Sequence, residues 1–287
     1  MSESSETCLV PPPLGEGDRE AVEGASSPTA REEAPSGGSA ATSLNGGGIE
    51  TRHRYAFAAS DCGGLAMVVR GTEVTMRCSG ALWLAGERML IVADLHLEKG
   101  SSYAARGQML PPYDTRETLG RLEAEVVALA PEVVVLLGDT FHDRKSEGRL
   151  AGDDAERLRA LAVGRRLVWV VGNHDADGPQ ALPGETADEI AVAGLILRHE
   201  PQGGPQPGEV AGHLHPAAKV RAPRGTVRRR CFVTDGERVI LPAFGAYAGG
   251  LNVRDVAFAG MFVRPPLMGA LGAARVRAVG WRQLAGD

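Results

Sequence analysis

Three apolar runs of five residues constrain this chain more than any other feature: MLIVA at 89–93, VVVLL at 133–137 and LVWVV at 167–171. Their length and β-branched content mark them as strands covered on both faces. Each run ends in polar residues: Asp94-x-His96, Gly138-Asp139 and Gly172-Asn173-His174-Asp175. Two further clusters follow. His199 lies one residue past LIL at 195–197, and Gly212-His213-x-His215 follows the weaker stretch GEVA at 208–211. Six of the seven histidines lie in or beside these five clusters. Open α/β sheets place their sites at the carboxyl ends of strands, so the pattern predicts one site assembled from strand ends.

The segments between the runs fill in the fold. Thr115 to about Ala130 predicts a helix, with Leu119, Leu122, Val126 and Leu129 as its apolar stripe and Pro131 beyond its end. A second helix, about 153–163, turns Leu158, Leu161 and Ala162 inward. Strand–helix–strand–helix–strand alternation implies a parallel core. Upstream, 66–69 and 73–78 read as strands, and 81–84 with 88–93 as a hairpin around Gly86. Residues 97–114 read as a long loop carrying Lys99 and Arg106. Past the third run, 190–197, 208–214, 217–221, 229–234 and 238–241 read as short strands of a second, more antiparallel sheet.

Charge divides the chain. Residues 1–50 hold nine acidic groups and two basic ones, whereas 51–287 hold 27 and 29. The first stretch is rich in Ser, Gly, Pro, Glu and Ala, a composition that cannot offset the entropy of ordering. We expect a disordered leader over 1–53 and one domain over 54–287. The start has no basic n-region or long apolar h-region, and no run approaches the ~18 residues of a membrane span. Cysteines at 8, 62, 78 and 231 lack metal or redox spacing. These features predict a cytoplasmic protein with reduced thiols and no membrane contact.

Singly, each cluster also reads as a turn acid or a core histidine. Five of them, each at a strand end, read as a centre for two divalent cations. Such cations sit about 3.5–4 Å apart, and a bridging carboxylate offsets their repulsion; Asp139 is the candidate bridge. Imidazole and carboxylate donors together suit manganese, iron or zinc better than calcium. Residues two apart in an extended strand point to one side, so Asp94 with His96, and His213 with His215, are expected to face a site in pairs. His174 adjoins the candidate ligand Asn173 and is placed to donate a proton to a leaving group. Lys219, Arg221, Arg224, Arg228, Arg229 and Arg230 form a basic stretch with no acid between Val210 and Thr234. It reads either as a solvated hairpin or as a phosphate contact.

The motifs DLH, GD, GNHD, H and GHLH over about 90–216 resemble those of the calcineurin-like metallophosphoesterase superfamily. The resemblance implies two stacked mixed β-sheets flanked by helices. It assigns Asp94, His96, Asp139 and His215 to a first metal and Asp139, Asn173, His199 and His213 to a second. Asp139 and His174 are then the catalytic pair. A narrower similarity rests on ADLHLEKGSSYAARGQMLPPYDT (93–115), LLGDTFHD (136–143), GEVAGHLHP (208–216), RRRCF (228–232) and LPAFGAYAGGLNV (241–253). These stretches resemble the bacterial ligase-associated DNA damage response endonucleases. That similarity implies a phosphodiesterase dependent on two divalent metal ions, manganese foremost with iron or zinc as alternatives. It also implies association with an ATP-dependent DNA ligase, a helicase and an exonuclease. Substrate contacts are expected from Lys99, Arg106, Arg228, Arg229 and Arg230. A phosphomonoesterase with the same metals and a non-catalytic repair scaffold are the competing readings.

Overall fold

The computed structural model describes residues 56–108, 110–222 and 225–287. The expected leader, 1–53, and Arg224 lie outside the described residues. The first sheet runs in chain order: β1 (Phe57–Ala59), β2 (Leu65–Val69), β3 (Thr72–Met76), β4 (Leu82–Leu84), β5 (Met89–Ala93), β6 (Val133–Leu137), β7 (Arg166–Val170) and β8 (Glu185–Ala187). β1 to β5 form an antiparallel meander, and β5 to β8 are parallel.

The apolar runs are explained by alternation. Ile91, Ala93, Val135, Leu137, Val168 and Val170 pack towards the second sheet, with Leu197, Val210, Phe232 and Leu241. Leu90, Val92, Val134, Leu136, Leu167 and Trp169 point the other way. There they meet Leu119, Leu122 and Val126 of α2 (Asp114–Leu129), and Leu158 of α3 (Gly152–Ala160) with Leu161 just past its end. Both faces of each strand are therefore buried. α2 ends at Ala130, whose left-handed backbone precedes Pro131.

Register decides where the strands stop. Ala93 pairs with Leu137, and Leu137 with Val170, so the residues that follow emerge level at one sheet edge. The second sheet contains β9 (Glu189–Val192), β10 (Leu195–Arg198), β11 (Glu209–Ala211), β12 (Pro216–Ala222), β13 (Gly225–Thr234), β14 (Val239–Ile240), β15 (Leu251–Asn252), β16 (Leu267–Leu271) and β17 (Val276–Gly280). It is mixed: β10, β11 and β14 are parallel neighbours, while β12, β13, β16 and β17 are antiparallel. Arg198 pairs with Ala211 and Ala211 with Ile240, so His199 and Gly212 also leave at one level.

Two expectations need correction. The segment 97–114 is not all loop, since α1 spans Lys99–Ala105. Its sequence, KGSSYAA, has no apolar period. A tertiary contact supports it: the Asp114 carboxylate accepts from Gly100 N at 3.0 Å. The stretch 190–197 is two antiparallel strands, because Ala193 and Gly194 both take positive φ and turn the chain. Beyond 266, where no element was read from the sequence, β16 and β17 form a hairpin on β13, with β16 buried throughout. The two stacked mixed sheets flanked by helices are as expected; among the described residues the helices α2 and α3 pack on the first sheet. The outer face of the second is closed by Leu214, Val253, Phe258 and Met261.

Candidate metal centre

The five clusters converge. Two groups of side chains each bring their ligand atoms within 4.8 Å of one another: Asp94, His96 and His215, and Asp139, His199 and His213. Asp139 joins them, for its Oδ2 lies 3.3 Å from His199 Nε2 and 4.0 Å from His96 Nε2. In the first group, His215 Nε2 is 3.4 Å from Asp94 Oδ1 and 3.1 Å from His96 Nε2. In the second, Asn173 Oδ1 lies 2.9 Å from His199 Nε2 and 3.0 Å from His213 Nδ1. Asp94, His96, Asp139 and His199 are buried and form the floor, while Asn173, His174, His213 and His215 form a more open rim.

The backbone that makes this possible is not extended. Asp94 (φ 54°), His96 (φ 44°), Asp139 (φ 46°), His213 (φ 68°) and His215 (φ 44°) all lie in the left-handed region. Each such residue costs about 1–3 kcal/mol and persists only where its surroundings hold it. The holding contacts are specific. His96 N donates to Asp139 O at 2.9 Å, and Asp94 N to Gly138 O at 3.2 Å. His213 N donates to the Asp94 carboxylate at 3.0 Å, and His174 N to Asp139 Oδ1 at 2.9 Å. Gly172 must lack a side chain, since a Cβ would overlap Asp139. The expected extended geometry is thereby corrected. Asp94 and His96 do meet, but by twisting; His213 and His215 separate into different groups.

Protonation follows from packing. Burial disfavours the charged form of His199, yet hydrogen bonding to Asp139 and the charges of Asp94 and Asp139 lift its pKa to about 9. Burial alone would raise the Asp139 carboxyl, but the His199 hydrogen bond and charge hold it well below the usual carboxylate range. His96 is pushed down by burial and by His215, and His213 by burial and by His199. Without a cation, His199 and Asp139 thus form an ion pair. His96 and His213 stay neutral, the state a metal ligand requires. Oxygen and imidazole donors at these separations fit a divalent cation in each group.

Two residues were given no role from the sequence. Asp175 accepts from Thr140 N (2.8 Å) and Gly172 N (3.0 Å), so it ties the Asp139 turn to the Asn173 turn. His142 joins His96 and His174 in a third group of convergent ligand atoms. Its carbonyl lies 2.7 Å from His174 Nδ1, an arrangement that leaves Nε2 of His174 facing Asp139 Oδ2 at 3.9 Å. Each could have been suspected from its place in GNHD or TFHD, but neither contact is readable from spacing.

The expected substrate contacts divide. Arg106 and Arg229 are exposed. Arg228 is exposed but donates to Asp287 at 2.8 Å and also to Gly250 O. Lys99 is buried at the start of α1, with its ammonium 5.6 Å from the Tyr103 ring centre. Arg230 does not fit the expectation. It is buried, and its Nη1 donates to Ala243 O at 2.8 Å and Gly245 O at 3.0 Å.

The family described as calcineurin-like phosphoesterase matches residues 87–220, the span holding all seven expected ligands. Residues 87–220 form a calcineurin-like phosphoesterase domain. This metallophosphoesterase domain belongs to a family of hydrolases that bind divalent metals. Among solved structures, the nuclease MPE from Pseudomonas putida is similar at 28% identity with a TM-score of 0.58. The match covers 75% of this chain and 100% of that one. The phosphoesterase Yfce from E. coli matches at 16% identity over 67% of this chain and 98% of its own, with a TM-score of 0.33 too low to carry an argument. A comparison with curated proteins gives no match. Among the described residues no helix is long and apolar enough to cross a membrane.

Proposed function

We propose that the chain is a phosphodiesterase that cleaves nucleic acid, DNA foremost, at a centre for two divalent cations. One observation carries the reading: Asp139 Oδ2 faces both groups, with His96 on one side and His199 on the other. Asp94, His96, Asp139 and His215 would hold the first cation, and Asp139, Asn173, His199 and His213 the second. When bound, such cations polarise a phosphoryl oxygen and make an attacking water acidic. The chain's own residues do the rest. The buried floor fixes the carboxylates, and the Asp175 hydrogen bonds keep the Asn173–His174 turn against Asp139. His174 is partly exposed on the rim. Its Nδ1 is held by the His142 carbonyl, so Nε2 can carry the proton to a departing alkoxide.

Nucleic acid as substrate rests on the likeness to the P. putida nuclease and on the exposed Arg106 and Arg229. Manganese as the cation, a cytoplasmic location, one domain over 54–287, and association with an ATP-dependent DNA ligase, a helicase and an exonuclease belong to the same proposal. They rest on sequence and resemblance. The test is manganese-loaded protein assayed on supercoiled plasmid, linear single strands, bis-p-nitrophenyl phosphate and p-nitrophenyl phosphate. Cleavage of the nucleic acids and the diester is expected. Turnover of the monoester alone would replace this reading with a phosphomonoesterase.

A further inference from the structure

RRRCF and LPAFGAYAGG contain none of the expected ligands, yet they meet behind the centre. Residues 243–245 form a turn whose N–H groups point at β5: Phe244 N donates to Ala93 O at 2.8 Å and Gly245 N to Asp94 O at 3.0 Å. Ala93 and Ala243 form a parallel bridge. A Cβ on Gly245 would overlap the Leu95 carbonyl, so the turn sits directly against the chain that carries Asp94 and His96.

With its N–H groups committed to β5, the turn presents its carbonyls to the interior. Buried carbonyls left without donors are costly, because their hydration is not replaced. Two buried arginines supply the donors. Arg230 of β13 donates from Nη1 to Ala243 O and Gly245 O. Arg121 of α2 donates from Nη2 to Phe244 O at 2.6 Å, with its guanidinium 5.1 Å from the Phe244 ring centre. Thr118, also on α2, accepts from Ala246 N at 3.0 Å. Burying two like charges together is costly: burial and the neighbouring Arg121 pull the Arg230 pKa down to about 9, against the charge of Glu117. Arg121 Nε and Nη1 are buried without a partner among the described residues. Buried ionic groups can often be replaced by apolar residues of similar volume without loss of stability.

We propose that Arg121 and Arg230 are positioning residues, which grip the 243–245 turn so that it holds Asp94 and His96 in the left-handed backbone that binds the first cation. The inference rests on the reading of Asp94, His96 and His215 as that cation's ligands. It gives Arg230 a role other than substrate contact, and it predicts that loss of the grip weakens one cation more than the other.

The experiment is a manganese titration of the full chain, followed by electron paramagnetic resonance and by elemental analysis. Wild type should bind two ions and give a spin-coupled spectrum. Arg230→Met should weaken one ion by about 10- to 100-fold, the usual effect of losing a contact behind a ligand. An uncoupled single-ion spectrum should then persist over a wide manganese range, with the second ion bound as in wild type. Arg230→Lys, which keeps the charge and part of the donation, should fall between. If Arg230→Met does not fold, Arg230→Lys and Arg121→Lys decide by the same titration. Variants that bind both ions as tightly as wild type, with only a lower melting temperature, would overturn the inference and leave the metal centre standing. Wild type that binds no manganese would overturn the metal centre and this inference with it.

Discussion

β5, β6 and β7 of the first sheet are buried along nearly their whole length, whereas β9 and β10 of the second are four residues long with alternate residues exposed. The first set supplies Asp94, Asp139 and Asn173 from strands held between the second sheet and the helices. The second sheet supplies His199 after β10, and His213 and His215 after the three-residue β11. The contrast teaches how the labour is divided. The buried strands of the first sheet fix both carboxylates and His96 in depth, and the second sheet brings the other three imidazoles across the gap. Asp139 is where the two contributions touch.

The largest effect should come from breaking that junction. Asp139→Asn removes the charge that both groups share, so activity should fall to background and elemental analysis should show loss of both cations. A variant with two bound metals and near-normal turnover would mean that the sheets build independent sites.

Next in size is His174→Ala, which takes a rim residue and leaves the floor intact. The rate on an unactivated diester should drop by about 10²–10⁴-fold, the range for a lost general acid. The loss should be smaller on a nitrophenyl ester, whose leaving group departs without a proton, and metal content should not change. Equal losses on both substrates together with a missing metal would make His174 a ligand.

A smaller, graded effect should separate the sheets by pH. His199, from the second sheet, keeps its proton up to about pH 9 without a cation, and coordination needs the neutral ring. Cation affinity at its group should therefore rise with pH, by about tenfold per unit while one proton is displaced, and level off above pH 9. The Asp94, His96 and His215 group should depend less on pH, because burial and His215 already keep His96 neutral. Calorimetric titration across the neutral range checks both slopes; parallel slopes would erase the distinction.

The smallest effect should come from the first fifty residues. Deleting residues 1–50, whose composition lacks the apolar content of a core, should leave melting temperature and turnover within error of the full chain. A large drop in melting temperature would mean that this segment packs on the domain.

Much of the first sheet was legible because its strands obey a local rule. Residues of β6 alternate between two apolar layers, so VVVLL had to be apolar throughout, and its boundaries could be read directly. The second sheet was harder. β9 and β10 turn on left-handed Ala193 and Gly194, of which only the glycine is a local signal, and β16 and β17 owe their place to pairing with β13. The same limit applies to α1, whose residues have little helical preference of their own. Arg230 was misread for the opposite reason. A run of three arginines looks like a surface, but β13 passes from solvent into the core within that run, and the third arginine is the first buried residue, donating to the 243–245 carbonyls.

The sequence alone determined the chemistry. Carboxylate, amide and imidazole groups stand at the ends of apolar strands, and the choice of donors follows from residue type. Spacing alone did not say which donors group together; the tertiary structure makes the grouping that only the resemblance implied. His213 and His215, two residues apart, go to different groups, while His96 and His215, 119 positions apart, come within 3.1 Å. The reason is physical. Five ligands sit in backbone conformations that a free chain avoids, and only contacts from distant segments make those conformations the lowest in energy.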